Sequence, residues 1–190
     1  MNNLKMNIIN AMFKLKLQTK MKQIVIFFTF AIILIAFTST AFGQATATAS
    51  ATIVTPISIA NNGDLNFGNV VASLAGGTVT ITPAGVRSAV GVTLPATAGT
   101  VTPAHFNVTG TANFSYSIAI TGTPVTVSSG ANNMTVNAFT STPVAGAGTG
   151  LLDGAGAQTI DVGATLVVGA SQAPGFYTSA IPFTVTVNYN

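Results

Sequence analysis

The sequence has no cysteine, no tryptophan and no glutamate, and its 190 residues include only six Lys plus Arg, three Asp and one His. Without cysteine there is no disulfide, no lipid-bearing Cys, no thiolate metal site and no thiol nucleophile. Five of the six cations (Lys5, Lys14, Lys16, Lys20 and Lys22) precede residue 23, whereas Arg87 and the acids Asp64, Asp153 and Asp161 lie far downstream. From residue 44 onward the formal charge is therefore 1 − 3 = −2. One Arg and no Lys in that stretch cannot neutralise a run of phosphates, which excludes a nucleic-acid surface. Schiff-base chemistry and Lys-to-Asn cross-links are excluded there for the same reason.

What is present begins with a leader. The cations are followed by the apolar run Ile24–Phe37 and by the small-residue exit Ala41-Phe42-Gly43 ahead of Gln44. That order is the pattern of a secretory signal peptide covering residues 1–43. A spanning helix needs about 20 apolar residues and a charged stop, and no charge follows the run until Asp64. Met21-Lys22 would open an ordinary signal by itself, which leaves two candidate starts, Met1 and Met21.

Beyond the leader, Thr, Val, Ala, Gly and Asn dominate, a composition of β-branched residues and turn formers. Period-two alternation predicts strands over 65–71, 77–82, 90–94, 106–109, 116–121, 125–128, 134–139, 159–162, 165–168 and 182–189. Turns are expected at Asn61–Asp64, Ala75–Gly77 and Gly130–Asn133, and a long loop at Pro143–Gly156. Regular short strands at that spacing indicate one all-β, antiparallel β-sandwich domain over residues 44–190. In the last strand Ile181, Phe183, Val185, Val187 and Tyr189 share the face expected to be buried. At the other end, residues 44–59 alternate as an N-terminal strand or extension, with Ala45, Ala47, Ala49, Ala51 and Ile53 on one parity. Such a segment either pairs at home or docks on a neighbouring subunit as an assembly strand.

The catalytic inventory is thin. His105 is the sole candidate base for a Ser/His/Asp triad, and a lone His in a Thr-rich β-protein is far more often a surface or turn residue. Asp64 sits in a turn signature, Asp153 in the Gly-rich loop and Asp161 in a strand pattern, which favours structural roles over an acid/base pair. Gly146–Gly150 lacks the Gly-Lys-Ser/Thr of a phosphate loop. Arg87 is expected to pair with an acid or a carbonyl. No catalytic, cofactor or metal site is expected, and the chain is read as a non-enzyme. Of the aromatics, Phe114 and Tyr116 share a parity with Ile118 and Ile120, which favours the core. Phe176 and Tyr177 are adjacent, so one of them is expected at the surface as a contact.

Several stretches together carry a family resemblance: 51–59 (ATIVTPISI), 64–70 (DLNFGNV), 106–110 (FNVTG), 134–139 (MTVNAF), 162–169 (VGATLVVG) and 183–190 (FTVTVNYN). Over residues 44–190 the chain resembles the bacterial secreted family called domain of unknown function 4402. More distantly it resembles spore coat protein U and pilin-type immunoglobulin-like subunits, many of which carry a Cys pair that this chain lacks. The resemblance implies an immunoglobulin-like sandwich without assigned activity. The expected function is an exported structural or adhesive surface subunit, pilus-like, assembling by strand exchange through its N-terminal extension. The alternative is a monomeric carbohydrate- or surface-binding module. Expected partners are like subunits and a periplasmic chaperone, with the membrane touched only by the leader. The expected location is the periplasm, the outer surface or the extracellular medium. Protein recovered from outside the cytoplasm is predicted to begin at Gln44 on N-terminal sequencing; material that retains Lys5 to Lys22 would contradict the leader reading.

Overall fold

The computed structural model describes residues 2–36 and 43–190, which divide into two compact units at Ala51/Thr52. In the first unit, helix α1 runs Asn2–Ala36. Its Thr29 hydroxyl donates back to the Val25 carbonyl at 2.8 Å, which keeps that polar group satisfied within an apolar stretch. No helix among the described residues is long and apolar enough to cross a membrane. Of the expected cleavage motif, Ala41 and Phe42 lie outside the described residues.

The second unit is all β. Its strands are β1 (Ser58–Gly63), β2 (Gly77–Ile81), β3 (Arg87–Val90), β4 (Ala104–Thr109), β5 (Ser115–Thr121), β6 (Val125–Ser129), β7 (Asn132–Thr142), β8 (Gly146–Leu151), β9 (Ala157–Val168), β10 (Thr178–Ser179) and β11 (Thr184–Tyr189). The larger, eight-stranded sheet has the order β1-β4-β9-β7-β6-β10, with β2 alongside β9 and β3 outside β2; the smaller has the order β11-β5-β8. Every pairing is antiparallel. Val108 and Ile160 of the larger sheet pack in one cluster with Tyr116, Ile118 and Val185 of the smaller. A second cluster gathers Val79, Val136, Leu166 and Val168. The arrangement is consistent with a β-sandwich, and each fully buried aliphatic side chain contributes about 1.5–3 kcal/mol. The outward faces are polar and pair laterally, as in the Thr80–Thr165 hydroxyl bond at 2.9 Å and the Ser58–Thr109 bond at 2.8 Å.

Four expectations need correction. Leu65–Val71 is not a strand. The Asn66 side chain accepts from the Gly68 amide, and Gly68 has φ 68°, so the segment touches the ladders only through bridges at Asn66 and Val71 while Leu65 and Phe67 still pack inward. The strand expected at 90–94 lies at Arg87–Val90, where a turn at Thr82–Gly85 registers it on β2. The expected loop 143–156 contains β8, whose Gly150 leaves space for the Tyr116 ring; a Cβ there would overlap that ring. The two strands expected at 159–168 are the single β9, which changes partner from β4 to β2 around Gly163, where the Ile81 carbonyl approaches too closely for any side chain.

The terminal alternation holds from Phe183 onward: Val185 is buried, and Phe183, Val187 and Tyr189 pack on the first cluster. Ile181 is 79% exposed because the chain joins the ladder only at Thr184. The Tyr189 hydroxyl accepts from the Thr111 amide at 2.6 Å and donates to the Thr55 carbonyl at 2.9 Å. Thr55 also exchanges hydrogen bonds with the Thr111 hydroxyl at 2.9 and 3.2 Å. Tyr189→Phe leaves the Thr111 amide and the Thr55 carbonyl without that partner. It is predicted to lower unfolding stability by about 1–3 kcal/mol and to speed proteolysis around Thr55, measured by urea titration and limited digestion.

Candidate assembly site

Two edge strands face each other along one side of the two sheets. Among the described residues β1 pairs only with β4, and β11 only with β5, so each has one unpaired backbone edge. Between them lies a groove of about 320 Å³, lined on one wall by Ile59 and Leu65, on the other by Phe183 and Val185, and floored by Phe106. The Phe106 and Phe183 rings meet edge-on at 6.1 Å. The carboxylate on the rim, Asp64, accepts from the Asn61 amide at 2.8 Å, so these two polar lining residues engage each other, and Thr184 is the remaining polar residue beside the apolar walls.

The groove occupies one end of this seam only. β1 pairs its Ser58 with Thr109, and Thr55, just upstream, is bound to Thr111 and Tyr189. The seam is therefore closed at the Tyr189 end and open at the Phe183 end. The chain leading into β1 departs from the closed end.

That lead-in is the segment singled out by its alternation. Residues 43–57 belong to no ladder, and the strand expected from residue 44 begins only at Ser58. Ala45, Ala47, Ala49 and Ala51 are exposed, and Ile53 is 93% exposed. The other candidate contact lies elsewhere. Phe176 is 81% exposed, next to β10 at the sheet edge opposite β1. Tyr177 is half-buried, its hydroxyl donating to the Ala173 carbonyl at 2.7 Å and accepting from Gln172 at 2.8 Å. Of the adjacent pair, Phe176 is the one at the surface. Phe114 packs edge-on against Tyr189 at 5.6 Å and stays partly exposed, while Tyr116 is fully buried.

In the second unit the charged side chains are engaged by neighbours in the same unit. Arg87 donates to the carbonyls of Phe67 and Asn69 at 2.9 and 3.2 Å, anchoring the segment that follows Leu65. His105 and Asp161 form a pair that the sequence alone did not suggest: Nδ1 lies 2.6 Å from Oδ1, half-exposed on the outer face of the larger sheet. The two residues are direct cross-strand partners of β4 and β9, so only knowledge of the strand order could have joined them. Among the described residues no Ser or Thr hydroxyl bonds His105, and the pair ties β4 to β9. No group of three His, Cys, Asp or Glu able to hold a metal occurs among the described residues.

A family model, "Domain of unknown function (DUF4402)", matches residues 57–189. The chain belongs to the DUF4402 family. Searches of the curated proteins and of the solved structures each returned no match. The matched DUF4402 region starts at Ile57, just after the Thr55 anchor, so it covers the groove and leaves out most of the lead-in.

In the DUF4402 domain Asp153 closes the turn before β9. Its carboxylate accepts from the amides of Ala157 and Ala155, at 2.9 and 2.8 Å, and these hold the group below its usual value of 3.8. A lowered native value means the contribution is complete above 3.8 and disappears as the pH falls through the native value. The stability difference between the chain and Asp153→Ala is therefore predicted to be constant from neutral pH down to the carboxylate range and to shrink in more acid urea titrations.

Proposed function

We propose that this chain is a non-enzymatic exported structural or adhesive surface subunit. It adopts an immunoglobulin-like, pilin-like sandwich after removal of the leader 1–43, and associates with copies of itself by strand exchange through its N-terminal extension. One observation carries the reading: the same chain has an uncharged, alternating segment outside every ladder at residues 43–54, ahead of the Thr55 anchor, and a groove with apolar walls along a free sheet edge. An extended segment adds backbone hydrogen bonds to such an edge and places alternate side chains in the groove. The polymer needs no reacting group, in keeping with ionisable side chains engaged in cross-strand ties and turns. Its location would be the periplasm, the outer surface or the medium, with a periplasmic chaperone covering the groove before assembly.

A second reading, a monomeric carbohydrate- or surface-binding module, is favoured by one feature, the protruding Phe176, whose ring has the form used for stacking on sugar faces. The two are separated by expressing the full chain with its leader and comparing it with a form lacking residues 44–52. Strand exchange predicts ladders or filaments from the first and monomer from the second, by native gel and electron microscopy. Monomer from both, with glycan binding that Phe176→Ala abolishes, would replace it with the binding module.

A further inference from the structure

Resting on that reading, we infer that the acceptor is the free edge of β11 in a second copy, which takes residues 47–53 of its neighbour antiparallel, Ile53 opposite Phe183 and Ala47 opposite Tyr189. The two segments, 47–53 and 183–189, have the same length. On each, the side chains that would meet in the seam fall on one parity: Ile53, Ala51, Ala49 and Ala47 against Phe183, Val185, Val187 and Tyr189.

Direction follows from the shape of the seam. The groove of about 320 Å³ lies beside Phe183 and Val185, the wide end of the seam, and the seam is closed beside Tyr189, where the acceptor's own Thr55 is bound. Ile53 is the one large side chain on the inward parity of the donor and the alanines precede it. Seating Ile53 at the wide end makes the donor run from the Tyr189 end to the Phe183 end, opposite to β11. Antiparallel addition also continues the β11-β5-β8 pattern.

The same geometry selects another copy over the segment's own domain. The extension departs from the Tyr189 end, and only Val54 separates Ile53 from the Thr55 anchor. Folding back onto its own β11 would put Ile53 at the closed end and the alanines at the wide one, and would run parallel to β11. In a second copy the donor's Tyr189 end meets the acceptor's Phe183 end, which stacks subunits head to tail and leaves a free acceptor at one end and a free extension at the other. Such a heterologous contact propagates rather than closing. Residues 43–57 carry no ionisable side chain and the single acid at the groove is engaged by Asn61, so no unpaired charge is desolvated on docking.

The absence of native cysteine supplies the test. Two differently tagged full-length copies are co-expressed with their leaders, one carrying Thr52→Cys and the other Thr184→Cys, both exposed and directly opposite one another in the proposed register. The expected result is a disulfide joining the two tags. It should exceed by about tenfold the yield from Thr48→Cys with Thr184→Cys, which reports the parallel direction, since Cα atoms more than ~7 Å apart do not bridge. The reverse preference would overturn the register. Absence of both cross-links, with ladders still lost on deletion of residues 44–52, would place the acceptor elsewhere and overturn this inference alone. Ladders that survive the deletion would overturn the strand-exchange reading as well.

Discussion

The hydroxyl of Tyr189 sets the geometry on which everything else depends. It lies between the last strand, the β4–β5 connection and the lead-in to the first strand, and holds Thr55 and Thr111 together. Gly110 has no side chain at the point where this hydroxyl packs; a Cβ there would overlap it. By closing the seam between β1 and β11 at one end, the contact confines the groove to the other. It also fixes the point from which residues 52–54 depart. The polarity of the proposed assembly follows from one phenol and its two backbone partners.

Scarcity of charge is the second constraint. Arg87 is held by carbonyls, Asp153 by turn amides, Asp64 by Asn61, and Asp161 by His105. Each group organises a turn or ties two strands, and few remain to repel a like surface. The outer faces carry Thr, Ser and Asn bonded laterally along the ladders. Soluble monomers ordinarily carry charge on about a quarter of their residues, and a surface this neutral offers little resistance to copies packing side by side.

Period two was enough to find β2, most of β5, β6 and β11, and the parity of Val185, Val187 and Tyr189, because these strands bury one face and expose the other. It failed where the backbone rather than the side chains decides. β8 is held through its backbone and is glycine where the Tyr116 ring needs room, so its sequence looks like a loop. Asn61-Asn62-Gly63 has turn chemistry but lies within β1, whose register on β4 shifts there through a bulge. Leu65 and Phe67 alternate like a strand, yet the Asn66–Gly68 turn takes their backbone out of the ladder. The extension was legible as an unusual alternation. The groove was not, since it is made by two edges far apart in sequence, and neither was the His105–Asp161 tie, for the same reason.

The most direct measurement of the central claim is amide hydrogen exchange across β11, made on the monomer and on the assembled chain. The backbone amides of Thr184–Tyr189 that are not donated to β5 face the open edge. They are predicted to exchange rapidly in the monomer and to become protected on assembly, together with the amides of residues 47–53. Rapid exchange at both segments in the assembled chain would show that the free edge of β11 is not where copies join.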